Sequence, residues 1–256
     1  MAVELKRDGD VAILTLNRPE ALNALSFAIL GEIGAAIDEV AGWADVRALM
    51  ITGAGDKAFC AGADIKELRH RRLIDQKRGA ELGQAVFSKL DRLPIASVAL
   101  VNGYAFGGGA ELALASTFRL ASPNAVFGLP EIKLGLIPGY GGTQRLPRLV
   151  GEGRALEIIM TGRNVKADEA ERIGLVNAVV DGDLMEAGLA FAARFTRYSL
   201  PVLEFARRAV QRAADLSLQD GLQVEADLST LAYRLGDAEE GMAAFEEKRK
   251  AEFKDG

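Results

Sequence analysis

The stretch from Leu93 to Phe118 constrains the fold more than any other. It is mostly apolar, long enough to suggest a membrane span, yet it holds Asn102, Gly103, Gly107, Gly108, Gly109 and Glu111. An acidic residue inside a spanning helix costs roughly 2.5–3.5 kcal/mol on insertion scales. A buried strand, a glycine loop and a buried helix account for the segment better. The strand, Ile95 to Val101, is almost wholly apolar, as expected when both faces of a sheet are covered.

Other segments extend this reading. Val11 to Leu16 and Arg47 to Ile51 read as short strands closed by Asn17-Arg18-Pro19 and Thr52-Gly53-Ala54-Gly55, and another spans Thr117 to Ala121. Ser26 is placed to cap a helix in which Phe27, Leu30, Ile33, Ile37 and Val40 recur at three- and four-residue spacing. Strands alternating with helices predict an α/β fold with largely parallel pairing. From Leu184 onward only helices are expected, with Pro201 in a first turn after Ser199. Leu203, Ala206 and Val210 share one helix face there. Leu218, Leu222, Val224, Leu228, Leu231 and Leu235 populate a second helix on more than one side, which suits either oligomerisation or core packing. No internal sequence repeat stands out.

Several chemistries are left without candidates. A net charge of −5 gives no electrostatic reason to expect nucleic acid or an anionic membrane. One cysteine, Cys60, excludes an internal disulfide framework, fits a reducing compartment, and reads as a small buried apolar residue. No secretory signal is visible in the charged, alternating start of the chain. The single histidine, His70, lies in Arg69-His70-Arg71-Arg72 and reads as part of a solvated helix face, so triads and multi-histidine metal sites lack their usual residues. There is no G-x-x-x-x-G-K-[ST] loop, and Leu112 stands where a dinucleotide fingerprint needs its last glycine.

Carboxylates and backbone dipoles remain. Glu111 follows Gly107-Gly108-Gly109, a loop feeding a helix whose free N–H groups stabilise negative charge. Tight helix–strand packing explains the same glycines and stays open. Lys57 to Lys66 is a second glycine-bearing loop with room for a second donor, while its Asp64 equally suits a helix cap. Glu131 sits in another apolar, glycine-bearing context, Phe127-Gly128-Leu129-Pro130-Glu131-Ile132. Charged carboxylates are rarely buried unless paired or functional.

Longer motifs then resemble one family. Phe59-Cys60-Ala61-Gly62-Ala63-Asp64-Ile65-Lys66, Asn102 to Leu112 and Pro138-Gly139-Tyr140-Gly141-Gly142-Thr143-Gln144-Arg145-Leu146 look like enoyl-CoA hydratases (crotonases). Leu16-Asn17-Arg18-Pro19, Asn23-Ala24-Leu25 and the tail from Glu240-Gly241-Met242 to Lys254 match in the same order. The resemblance implies an α/β spiral of ββα turns over residues 1–195, carrying the acyl-CoA site, and a C-terminal helical trimerisation region over 196–256, giving a homotrimer or homohexamer. Ala63 and Gly108 would donate N–H bonds to the thioester oxygen, and Ala63, Asp64, Ile65 and Lys66 would line the CoA side. Phe253 and Lys254 resemble tail residues that reach a neighbouring subunit's CoA.

Both glutamates match hydratase positions, which implies syn addition of water to a 2-trans-enoyl-CoA in fatty acid β-oxidation. Glu111 would deprotonate the water and Glu131 supply the α-proton. The partner implied is an acyl-CoA substrate. No separate cofactor is implied, because coenzyme A is part of that substrate, and no metal, nucleic acid or membrane; the location expected is cytoplasmic. Isomerisation or thioester hydrolysis at the same anion site, or a non-catalytic acyl-CoA- or RNA-binding scaffold, are the alternatives. Arg69, Arg71 and Arg72 are expected to be solvated, and acyl chain length is not encoded in any single motif of 67–91.

Overall fold

The structure is a computed structural model that describes residues 2–256. An antiparallel pair, Val3–Asp8 (β1) and Val11–Leu16 (β2), opens the chain. The helix Phe27–Ala41 (α1) follows, with Ser26 accepting from the Ile29 N–H at 3.2 Å as its cap. Leu30, Ile33, Ile37 and Val40 are buried along one side of it, as their spacing predicts.

Three ββα turns then repeat. The first is Ala48–Gly53 (β3), Ala58–Cys60 (β4) and the helices Ile65–Leu68 (α2) and Leu73–Arg92 (α3). The second is Ala96–Val101 (β5), Tyr104–Phe106 (β6) and Gly108–Ala115 (α4). The third is Phe118–Ala121 (β7), Val126–Gly128 (β8), a 3-10 turn at Pro130–Leu134, and the helices Gly142–Val150 (α5) and Glu152–Thr161 (α6). Val165–Lys166 (β9), Ala167–Arg172 (α7), Ala178–Val179 (β10) and Leu184–Ala192 (α8) complete the series.

The strands sort into two sheets. The longer first strand of each turn joins the order β1-β2-β3-β5-β7-β10, parallel from β2 onward; the short second strand joins β4-β6-β8-β9. The chain therefore winds as a spiral, advancing one strand per sheet per turn. This is the α/β spiral of ββα turns that the resemblance implies. The repeat escapes sequence inspection because β4, β6 and β8 are three residues each, too short to show a period. In β5 every residue except Ala96 is buried, which is why it reads as a continuous apolar run.

The glycines allow the turns to touch. A Cβ on Gly103 would collide with the Lys57 carbonyl, and one on Gly109 with the Cys60 carbonyl. Close helix–strand packing is thus the role of Gly109, and Cys60 behind it is wholly buried. His70 departs from the expectation of a helix face. It is exposed with φ +62 in the turn between α2 and α3.

The chain divides into two compact units, one ending at Leu189 and one beginning at Ala190. The second holds Leu200–Arg212 (α9), Leu218–Ala232 (α10) and Gly236–Glu246 (α11). Pro201 lies in the first turn of α9 after Ser199, as expected. The buried Asp237 carboxylate accepts from the Lys254 N–H at 2.7 Å and the Asp255 N–H at 2.9 Å, which fastens the tail. The apolar faces read from the sequence are not covered within this unit: Val210 is 74% exposed, Leu218 81%, and α10 buries no side chain. Among the described residues no helix is long and apolar enough to cross a membrane.

Two glycines test the spiral packing. Gly109→Ala has no room against backbone and is expected to destabilise by about 3 kcal/mol or more. Gly31→Ala, in open space within α1, is expected to be neutral or to stabilise by about 0.5–1 kcal/mol. Urea unfolding of both variants measures the contrast; equal midpoints would refute it.

Candidate active site

Glu111 lies just inside the N-terminus of α4 and is 2% exposed. Its Oε1 accepts two backbone N–H bonds, from Tyr140 and Gly142, each at 2.8 Å. Gly141, at φ +119, turns the backbone so that both N–H groups face the carboxylate. A Cβ on Gly142 would press to 3.1 Å from Glu111 Cγ and Oε1. Burial pushes the Glu111 carboxyl up to about 7, and the negative charge of Glu131 adds to that rise. The Gly142 and Tyr140 N–H groups and the Arg145 guanidinium act against it.

Glu131 comes from the 3-10 turn after β8 and is half-buried. Its Oε1 would stand 2.8 Å from a Cβ on Gly107, so it faces the residue that precedes α4. Its Oε2 is buried without a hydrogen-bond partner among the described residues. Burial raises this carboxyl above the usual carboxylate range. The spiral therefore brings together two glutamates 20 residues apart, each biased toward holding a proton.

Candidate donors flank them. Gly108 is the first residue of α4, so its N–H is among those without an intrahelical acceptor. Leu25 and Ala63 form an isolated parallel bridge in which Leu25 N–H donates to Gly62 O and Asp64 N–H donates to Leu25 O. That pairing leaves the Ala63 N–H outside the ladder. Gly62, at φ +106, adjoins α4: a Cβ there would lie 2.9 Å from Phe106 O and 3.7 Å from Gly108 N. The loop carrying Ala63 and the start of α4 thus meet.

The remaining site candidates divide. Asp64 caps α2, accepting from the Lys66 N–H at 3.1 Å, while Ile65 and Lys66 are exposed beyond it. Phe253 and Lys254 belong to the C-terminal unit. The Phe253 ring lies 6.3 Å from that of Tyr198, and Lys254 N–H is held by Asp237. Of the arginines read as solvated, Arg69 and Arg72 are exposed, but Arg71 lies 3.9 Å over the Phe27 ring. Sequence reasoning gave no role to Tyr140, Gly142 or Asn23. Asn23 is buried at φ +58 and its amide donates to Ala54 O at 3.0 Å and Ala58 O at 2.8 Å, pinning the segment before β4. A positive-φ asparagine has no marker in sequence beyond its residue type.

The profile of the enoyl-CoA hydratase/isomerase family matches residues 6–256. The chain belongs to that family. This hydratase/isomerase chain is 42% identical over 251 residues to a short-chain-enoyl-CoA hydratase of Clostridium acetobutylicum, covering 98% of this chain and 96% of that protein. It is 42% identical over 250 residues to a crotonyl-CoA hydratase of Syntrophomonas wolfei, covering 97% and 96%. The crystal structure of an enoyl-CoA hydratase from Bacillus anthracis superposes with a TM-score of 0.95 at 37% identity, covering all of both chains.

The raised Glu111 carboxyl of this family member has a consequence for stability. Between pH 4.5, its ordinary value, and about 7, the folded state keeps a proton that the unfolded chain has released. The group therefore weakens the fold as pH rises through that window, and the loss is complete above it. Glu111→Gln is expected to gain on the wild type by about 3 kcal/mol between those limits. Guanidinium unfolding of both proteins across the window measures this, and parallel stability curves would refute it.

Proposed function

We propose that the chain is an enoyl-CoA hydratase, adding water syn across the double bond of a short-chain 2-trans-enoyl-CoA to give the 3-hydroxyacyl-CoA. The observation that carries this is the convergence of two proton-holding carboxylates, Glu111 and Glu131, at the N-terminus of α4. Similarity to relatives named for short-chain enoyl-CoA and crotonyl-CoA hydration supports the substrate class.

In this reading the thioester oxygen takes N–H bonds from Ala63 and Gly108, with the α4 dipole behind the second. Losing one such preorganised donor typically costs about 3–4 kcal/mol of barrier. Glu111 Oε1 is occupied by Tyr140 and Gly142, so its other oxygen holds and deprotonates the water. Oxygen bonds to the β-carbon, and the π electrons move onto the thioester oxygen as an enolate. Protonated Glu131 then gives its proton to the α-carbon as the enolate collapses. The proton taken by Glu111 and the one lost by Glu131 balance the addition of one water. A coupled pair with one ionised and one neutral member suits both roles.

The stretch Ala63 to Lys66 lines the CoA side, and Phe253 and Lys254 reach the CoA of a neighbouring copy. A homotrimer or homohexamer covers the exposed apolar faces of α9 and α10. Coenzyme A enters as part of the substrate, and a cytoplasmic role in fatty acid oxidation fits the reduced Cys60. Isomerisation needs one well-placed base, so the second carboxylate favours hydration.

Hydration of crotonyl-CoA by wild type, Glu111→Gln and Glu131→Gln tests the assignment. Each substitution is expected to lower kcat by at least about 10². An unchanged rate in either variant removes its assigned role, and a wild type inactive on every enoyl-CoA removes the hydratase reading.

A further inference from the structure

Behind the backbone that grips Glu111 lies an ion pair that the reaction as described does not use. Arg145, on α5, donates through Nη2 to Asp91 Oδ2 of α3 at 2.6 Å and to Ser88 Oγ at 3.5 Å. Its Nη1 points to the Tyr140 carbonyl at 3.5 Å. A Cβ on Gly141 would collide with that same Nη1, so the guanidinium is seated directly against the turn. On the other side of the turn, the Tyr140 and Gly142 N–H groups hold Glu111 Oε1. Carboxylate, backbone turn, guanidinium and second carboxylate thus form a continuous line from Glu111 to Asp91.

As a stability device this pair is weak. Asp91 is half open to water, and exposed pairs contribute little. Its placement suits another purpose. We infer that Arg145, anchored by Asp91, is a positioning residue for water activation: it fixes the 139–142 turn that orients Glu111 and presents the nearby cation. This rests on the reading of Glu111 as the base.

Two of the charged side chains that act on Glu111 oppose each other. Glu131, from the 3-10 turn, disfavours the ionised form and Arg145, from α5, favours it. The Tyr140 phenol, pushed up to about 12 by burial and then by Glu111, stays neutral. Arg71 and Glu67, from the α2–α3 region, and Cys60, from β4, act on the charge of that phenol.

The test is the pH dependence of kcat for crotonyl-CoA hydration by the full chain in Arg145→Gln, Arg145→Lys and Asp91→Asn, each checked for folding by circular dichroism. Arg145→Gln is expected to lose about tenfold or more in kcat and to move the acid limb upward by about half a pH unit. Arg145→Lys keeps the charge, so its limb stays near that of the wild type while its rate falls, because an ammonium lacks the guanidinium fork. Asp91→Asn releases the anchored guanidinium and is expected to lower kcat and move the limb upward by less than Arg145→Gln does, which keeps the test alive if Arg145→Gln does not fold. A folded Arg145→Gln with the wild-type limb overturns the inference, as does an unmoved or lowered limb in Asp91→Asn. Retained activity in Glu111→Gln would instead sink the base assignment itself. Loss there beside unmoved limbs sinks this inference alone.

Discussion

The site depends on how the short helix α4 is tied at both ends. At its start Gly107, at φ +48, donates to the Gly128 carbonyl at 2.9 Å, joining the second turn of the spiral to the third. At its end the buried Arg119 donates to the Ser116 carbonyl at 2.6 Å and to Ala113 O at 3.4 Å, and across to Leu175 O at 2.8 Å. Burial lowers the Arg119 guanidinium only to about 10, so it remains a cation at neutral pH. A positive charge at the C-terminus complements the helix dipole, whose positive end lies at Gly108. Gly108 and Glu111 are therefore carried by a helix tied at both ends.

The two glutamates are held unequally. Glu111 is fully buried and gripped by two N–H groups, whereas Glu131 is half-buried with one oxygen unpartnered. Burial alone disfavours charge on both, and mutual repulsion makes simultaneous ionisation costly. Backbone N–H groups act against burial at both, those of Tyr140 and Gly142 at Glu111 and its own at Glu131.

Much of this was legible from residues and much was not. The Ser26 cap, the α1 stripe, the β5 run and the Pro201 start express local rules and appear where the sequence puts them. Glu111 and Glu131 stood out because each is a charge in apolar, glycine-bearing surroundings. The three-residue strands, the ββα repeat and the Asn23 clamp depend on contacts between distant segments, which no local period encodes. His70 misled because a run of charges suggests a helix face, while its left-handed backbone breaks the helix there. Arg145 lay inside a quoted motif, yet its bond to Asp91 spans 54 positions and only the fold reveals it.

The spiral also divides the chemistry among its turns. The loop with Ala63 comes from the first, α4 with Gly108 and Glu111 from the second, and the Glu131 turn with the 139–142 backbone from the third. Each piece sits on its own strand pair and loop. Replacing the 3-10 turn Pro130–Leu134 alters the Glu131 carboxylate while the Ala63 loop and α4 stay framed by the other two turns. A chain built this way lets one coil change its side chains while the other two keep their places on their own strand pairs.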